Sequence, residues 1–276
     1  MQQLLIIQSL WGMERLKGQT SDLPAAAAIA KVAAAGFDGV THHFTDETEV
    51  KTLAALRAAH GLTAEAQCFP TAIDELKPTL ELAHRYGAHH ITIQADVRPR
   101  AFAQSARIVE GWCRLAESSD IPVYLETHRG RLNNDMLLML DLLEALPDLR
   151  LLADLSHYVV AREFPAPPVP GEMEAQVQAL LARAWAAHGR IAAPGQVQVE
   201  LTFPQHQPWV AQFSAWWTSL MRGWKARAGA ADSFAFTCEL GPQPYAISGP
   251  TGEDLTDRWA DALALRDIAR HCWAAA

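Results

Sequence analysis

Cysteine is scarce in this chain: its 276 residues include four cysteines, which are scattered and form no Cys-x-x-Cys pair. So few thiols exclude a disulfide-stapled scaffold. Long apolar runs are also lacking, because Lys31 interrupts the most alanine-rich stretch, residues 24–37. A membrane-spanning helix needs about 18 or more consecutive apolar residues, so we expect no membrane span. The amino-terminal MQQLLIIQSLWG has no basic region, and its apolar run is too short for a signal peptide.

Positive charge is in deficit as well, with 23 basic against 31 acidic residues and a net charge of −8. A chain of that sign lacks the electrostatic footprint of a nucleic-acid-binding protein. Half of the residues are apolar and a fifth are charged, which is typical of a globular protein. We therefore expect a cytoplasmic protein that binds neither nucleic acid nor membrane. The oligomeric state is open, and a homo-oligomer is compatible with the sequence.

Short apolar runs alternate with longer helical segments along the whole chain. The eight runs predicted as strands are Leu4 to Gln8, Phe37 to Val40, Leu62 to Gln67, His89 to Gln94, Pro122 to Glu126, Leu149 to Asp154, Trp185 to Ile191 and Phe234 to Glu239. Because adjacent parallel strands require a crossover such as a helix, this alternation predicts a parallel sheet. The length suits eight strand–helix units, so we predict a single (β/α)₈ TIM barrel domain over residues 1–276.

A doubly wound open sheet is the alternative to the barrel, but no Gly-x-Gly-x-x-Gly motif follows any early strand. Helix boundaries are predicted from capping residues. The expected N-caps are Asp22, Thr45 and Asp254, and the expected C-terminal glycines are Gly36, Gly61 and Gly87.

Polar residues end four consecutive predicted strands. In a barrel of this kind the catalytic groups lie at the carboxyl ends of the strands. The residues at these ends are Glu126, Asp154, His188 and Glu239, from the fifth to the eighth strand. Three carboxylates and one imidazole in a small space require a counter-charge, which a divalent cation supplies. Mixed oxygen and nitrogen ligands suit Mn²⁺, Mg²⁺ or Co²⁺, and Zn²⁺ is also compatible.

These motifs resemble those of the xylose isomerase-like TIM barrels, also called sugar phosphate isomerases/epimerases. The resemblance covers essentially the whole chain. It is carried by Glu126 in LETHRGR, the Asp154-x-x-His157 pair, His188-Gly189-Arg190 and Glu239 in ELGP. It implies that Glu126, Asp154, His188 and Glu239 bind one divalent metal, and that His157 and Arg190 contact the substrate. The implied partner is a small sugar or keto acid.

The seventh strand has a competing assignment. The segment GQVQVELTF, residues 195–203, alternates like a strand, and in that case Glu200 or His206 would replace His188. We favour His188, because it directly follows the run Trp185 to Ala187 and has Arg190 beside it. Residues 192–206 then form a long loop at the active-site rim.

Further substrate contacts are expected from residues at the other strand ends. Trp11 is a candidate wall over the substrate, and Gln67 ends the third strand. His42 and His43 are adjacent, so only one of them faces the barrel axis, and we favour His43. His128 points the same way as Glu126 and either contacts substrate or supports the metal ligands.

Two arginines follow in the same segment, Arg129 and Arg131. They either bind an anionic substrate or neutralise the acidic rim.

The predicted site suits proton transfer next to a carbonyl. A metal-stabilised enediolate would form, and two carboxylates on its opposite faces would act as base and acid. The resemblance to the ketose epimerases of the family implies that Glu126 and Glu239 fill these roles. We therefore predict a metal-dependent isomerase or epimerase.

Three other functions are alternatives. A metal-dependent dehydratase of keto-inositol or dehydroshikimate type shares the enolate step. An endonuclease IV-like nuclease needs additional histidines at the second and third strands and an Asp-x-His after the seventh. Here the third strand ends in Gln67-Cys68-Phe69, and no such motif follows His188. A barrel that binds sugar without turnover would not require both Glu126 and Glu239.

Overall fold

The chain closes a parallel barrel, in a computed structural model that describes residues 1–19 and 21–276. Within these ranges eight parallel strands pair in sequence order, and the eighth pairs with the first. The strands are β1 (Gln3–Ser9), β2 (Gly39–His43), β3 (Thr63–Cys68), β4 (His90–Ile93), β5 (Val123–Glu126), β6 (Leu151–Ala153), β7 (Ala184–Gly189) and β8 (Ser233–Cys238). Closure confirms the (β/α)₈ prediction and excludes the open doubly wound sheet.

Helices connect successive strands and cover the outer surface of the barrel. They are α1 (Ala25–Ala34), α2 (Glu47–Ala59), α3 (Leu76–Tyr86), α4 (Phe102–Glu117), α5 (Met136–Ala145), α6 (Ser156–Ala161), α7 (Gly171–Leu181), α8 (Gln207–Arg227) and α9 (Arg258–Ala275). The short α6, directly after β6, was not predicted. Of the helices in the described residues, none is both long and apolar enough to span a bilayer.

The predicted N-caps Asp22, Thr45 and Asp254 are wrong. The capping side chains in the structure are Asp46 for α2, Asp135 for α5 and Asp257 for α9. A capping oxygen reaches only the amides of the first turn, so a shift of one to three residues removes it from the helix. Asp22 instead accepts a hydrogen bond from the Arg15 backbone N–H at 2.6 Å. The predicted C-terminal glycines are confirmed, with φ of 75°, 67° and 71° at positions 36, 61 and 87.

Side-chain alternation along the strands decides what faces the barrel axis. A small apolar cluster from β1, β5, β6, β7 and β8 fills the interior, separately from the larger core between strands and helices. Its members are Ile7, Tyr124, Leu152, Ala186 and Ala235. Because side chains two residues apart share a face, the positions two residues further on also point inward, at the carboxyl end of the barrel.

The seventh strand is Ala184–Gly189, as the preferred assignment predicted. The competing segment 195–203 forms a loop over the rim, and its side chains are engaged there. Glu200 accepts hydrogen bonds from the backbone N–H groups of Thr202 and Phe203, at 2.9 and 2.8 Å. The Nδ1 atom of His206 lies 2.7 Å from the Glu200 carbonyl oxygen. Neither Glu200 nor His206 therefore takes the place of His188.

Candidate metal centre

Four inward-facing side chains converge at the carboxyl end of the barrel. They are the predicted set Glu126, Asp154, His188 and Glu239. The first three each lie two residues after a member of the interior apolar cluster, and Glu239 lies four residues after Ala235. One ligand atom from each lies within 4.8 Å of the others, and all four side chains are buried. The closed barrel therefore brings together residues as far as 113 positions apart in the sequence, Glu126 and Glu239.

The polar atoms of this cluster fit a divalent cation. Among the described residues, both carboxylate oxygens of Glu126, Oδ2 of Asp154 and Nδ1 of His188 are buried without a hydrogen-bond partner. Buried polar atoms are rarely left without a partner, because desolvation makes this costly. A cation would satisfy these atoms together. Three carboxylates and one imidazole are a suitable donor set for Mn²⁺, Mg²⁺, Co²⁺ or Zn²⁺.

Glu65 on β3 orients His188 and was missed in the sequence. Its carboxylate lies 2.7 Å from His188 Nε2 and accepts hydrogen bonds from Thr92 and Thr237. Burial alone would raise the pKa of Glu65, but the charge and hydrogen bond of His188 lower it to about 2. An ionised carboxylate can only accept, so Nε2 donates, and Nδ1 faces the other ligands, where loss of its proton would free a lone pair for a cation. The available signal was the even spacing that puts Glu65 on the same face as Gln67.

The two glutamates of the cluster differ electrostatically. Burial raises the pKa of Glu126 above its ordinary value. Burial acts in the same direction on Glu239, but the charges of His188 and Arg190 lower the pKa of Glu239 below its ordinary value. Burial also raises the pKa of Asp154. Two carboxyl groups held in such different surroundings are typical of sites that transfer protons.

Arg190 lies against the cluster and is buried. Its Nε donates to the Glu239 carbonyl oxygen at 2.8 Å, and one terminal nitrogen pairs with the Glu239 carboxylate. The other terminal nitrogen lies 3.4 Å from Asp154 Oδ2 and 3.3 Å from His157 Nε2. The predicted substrate contact Arg190 is thus also an ion-pair partner of two predicted metal ligands.

His128 and His157 lie beside the cluster, with ring centroids 3.7 Å apart and ring planes tilted by 37°. His157 lies in the first turn of α6, and its Nε2 is 3.5 Å from Asp154 Oδ2. Burial lowers the pKa of His128 to about 4 and the pKa of His157 well below its ordinary value, so both rings are neutral near pH 7. His128, His157 and Glu126 also form a second group with metal-ligand spacing.

Aromatic residues form the mouth of the site. The Trp11 ring packs against Gly241, where an added Cβ would overlap the ring. Trp11 also contacts Tyr245 edge-on, with ring centroids 5.1 Å apart. Tyr245 was missed in the sequence, because it lies in the long segment after β8 without regular structure. The Arg190 guanidinium lies 4.8 Å from the centre of the Tyr245 ring. Tyr245 therefore covers the cluster from the β8 side.

The remaining predicted residues lie on the β2–β3 side. Gln67 Nε2 donates to Glu239 Oε1 at 2.9 Å, which ties β3 to the cluster. His43 pairs in register with Gln67 and is exposed, with its ring edge-on to Phe69 at 4.9 Å. His42 is buried and stacks on Phe44, so its side chain belongs to the outer core.

A family model described as xylose isomerase-like TIM barrel matches residues 29–192 of the chain. No curated protein matches the chain significantly.

Several solved structures share the fold. D-psicose 3-epimerase with D-tagatose, from Clostridium cellulolyticum H10, has 13% identity and a TM-score of 0.62, covering 98% of this chain and 99% of that one. A xylose isomerase-like TIM barrel protein from Mycobacterium smegmatis, in complex with magnesium, has 12% identity and a TM-score of 0.65, covering 99% and 97%. AP endonuclease, family 2, from Brucella melitensis has 15% identity and a TM-score of 0.57, covering 88% and 94%. At such low identities these similarities establish the fold alone.

Proposed function

The chain belongs to the xylose isomerase-like TIM barrel family, as its motifs predicted, and on that premise we propose that it is a divalent-metal-dependent isomerase or epimerase of small sugars or keto acids. The observation that carries the proposal is the convergence of Glu126, Asp154, His188 and Glu239, with buried oxygen and nitrogen atoms that have no hydrogen-bond partner in the described chain. The epimerase with D-tagatose and the magnesium complex among the similar structures support the substrate class and the cation.

The four residues would hold the cation, and Glu65 would keep His188 in the tautomer that can bind it. When bound, a divalent cation supplies a Lewis acid that stabilises negative charge on neighbouring substrate oxygens. The charge of the cation would also offset the repulsion among three buried carboxylates.

Glu126 and Glu239 are the groups proposed to move protons. They project from β5 and from the end of β8 and so approach the centre of the barrel from different sides. One would take the proton from the carbon next to the substrate carbonyl, and the other would return a proton to the opposite face. Acid–base assistance of this kind contributes about 10²–10⁴-fold to a rate.

The surrounding residues would bind and enclose the substrate. His157 and Arg190 would contact its oxygens, and Gln67 would hold the Glu239 carboxylate in place. Trp11 would form an apolar wall and exclude water at the mouth. His43 and His128 are the other proposed substrate contacts.

Hydrogen exchange tests the proposed reaction class. Metal-loaded protein is incubated in D₂O with a panel of ketoses and keto acids, and we expect deuterium at the carbon next to the carbonyl without loss of water. Glu126→Gln and Glu239→Gln should each abolish exchange at one face. The matched control is Glu81→Gln, because Glu81 is an exposed residue of α3 outside the site. A product lighter by one water would indicate a dehydratase instead, and no exchange across the panel would contradict the proposal.

A further inference from the structure

Three arginines stand around the mouth, and two of them have carboxylate partners. Arg190 pairs with Glu239, and Arg131 pairs with Asp96. Arg129 differs, because no carboxylate of the described residues lies within ion-pair distance of its guanidinium. Its Nε atom is buried and has no hydrogen-bond partner within the described chain. A partly buried guanidinium without a carboxylate partner in the described chain is available to pair with an anionic ligand.

Arg129 lies in the loop that follows β5, beside the candidate metal centre. The residue lies three positions after Glu126, and its backbone carbonyl oxygen is 2.5 Å from Nδ1 of His128. Its guanidinium carbon is 5.7 Å from the centre of the Tyr245 ring, the same ring that Arg190 approaches to 4.8 Å. Two guanidinium groups therefore meet at one tyrosine beside His157, whose ring lies 6.3 Å from that of Tyr245.

We propose that Arg129 binds an anionic group of the substrate, a carboxylate or a phosphate, and thereby selects anionic sugars or sugar acids over neutral ketoses. This inference rests on the proposed function and narrows its substrate class. A guanidinium presents a planar fork of donors that matches carboxylate and phosphate oxygens. An anion between Arg129 and Arg190 would also offset the repulsion between the two like charges.

The same surroundings disfavour a second metal ion at the group Glu126, His128 and His157. A cation there would lie beside Arg190, one terminal nitrogen of which is 3.3 Å from His157 Nε2, and it would share Glu126 with the four-residue cluster. The positive charge of Arg190 beside these residues disfavours a second cation and favours an anion.

The test compares D-fructose, D-fructose 6-phosphate and D-fructuronate, which share one ketose frame and differ in the terminal group. Binding to metal-loaded protein is measured by calorimetry, and solvent hydrogen exchange is measured in parallel. Arg129→Gln should weaken binding of the phosphate or the carboxylate ligand about tenfold or more and leave D-fructose within about twofold. The matched control is Arg107→Gln, which removes the same charge from an exposed position of α4. It should change none of the three values.

The ratio between the phosphate and the carboxylate ligand identifies which anion the site prefers. Equal effects of Arg129→Gln on all three ligands, or no effect on any of them, would overturn the proposal. Inorganic phosphate serves as an independent probe: its binding should also depend on Arg129 even if no ligand exchanges hydrogen, a result that would contradict the proposed function alone. Conversely, exchange on D-fructose as fast as on its phosphate and its uronate, with no dependence on Arg129 for any of the three, would support the function and overturn this inference. Two cations per chain instead of one would likewise contradict it.

Discussion

Replacing Glu65 with Gln tests how His188, the histidine of the candidate metal centre, is held. The carboxylate accepts from three donors, namely His188, Thr92 and Thr237. A glutamine has one acceptor oxygen and turns its NH₂ group towards a donor, so at least one of the three loses its acceptor. A hydrogen bond to a charged group is worth about 1.5–3 kcal/mol, which corresponds to about a 10- to 100-fold change in affinity. Removing the hydrogen-bond partner of a metal-binding histidine typically lowers metal affinity or activity by about the same factor.

The assay is titration of the metal-free protein with Co²⁺, followed by the visible absorption of the bound ion. For Glu65→Gln we expect about 10- to 100-fold weaker binding and an altered spectrum, because the His188 ring is no longer fixed in one tautomer. Glu81→Gln, the same substitution at an exposed position, is the control. A thermal melt of each variant separates this effect from unfolding. If Glu65→Gln binds Co²⁺ as tightly as the control and with the same spectrum, the positioning role is refuted.

Three further predictions concern other parts of the site and its support. Asp154→Asn should lower metal affinity, whereas Arg190→Ala should retain the metal, because it removes a positive charge, and should raise KM more than it lowers kcat. Gly241→Ala should displace the Trp11 ring, weaken substrate binding and lower the Tm, since overpacking costs about 1–3 kcal/mol. Asp261→Asn should stabilise the fold increasingly with pH. Burial raises the pKa of Asp261 to about 7, above its unfolded value, so the carboxyl costs stability progressively as pH rises towards 7. The gain in unfolding free energy should grow by about 2–3 kcal/mol between pH 5 and pH 8.

Each of these outcomes has a measurement that can contradict it. Equal metal loss in Asp154→Asn and Arg190→Ala, by elemental analysis, would contradict their separate roles. Unchanged Trp fluorescence and Tm in Gly241→Ala would show that the Trp11 ring tolerates the added methyl group. Urea unfolding of Asp261→Asn at several pH values should show the stated slope, and a gain that is independent of pH would exclude titration of that carboxyl as the cause.

Much of the barrel and the four-residue cluster was determined by local sequence pattern. Strand side chains alternate with a period of two, and parallel strands of a barrel all end at the same rim. A polar residue at the end of a buried strand must therefore point into that rim. This reasoning suffices for Glu126, Asp154 and Glu239, whereas for the seventh strand it left the segment 195–203 as a competitor, and the structure places β7 at Ala184–Gly189 with His188 in the cluster. Helix starts were less accurate, because an Asp within a few residues of a helix has several possible partners.

Tertiary structure alone decided which side chains pair with that cluster. Glu65 stands 123 residues before His188, and only barrel closure places them 2.7 Å apart. Tyr245 lies in a segment without periodicity, so no pattern relates it to Arg190. The isolation of Arg129 is likewise invisible in the sequence, because a missing ion-pair partner depends on every side chain nearby. Alternation determines the direction of a side chain, but its partners depend on contacts between distant segments that form when the sheet closes.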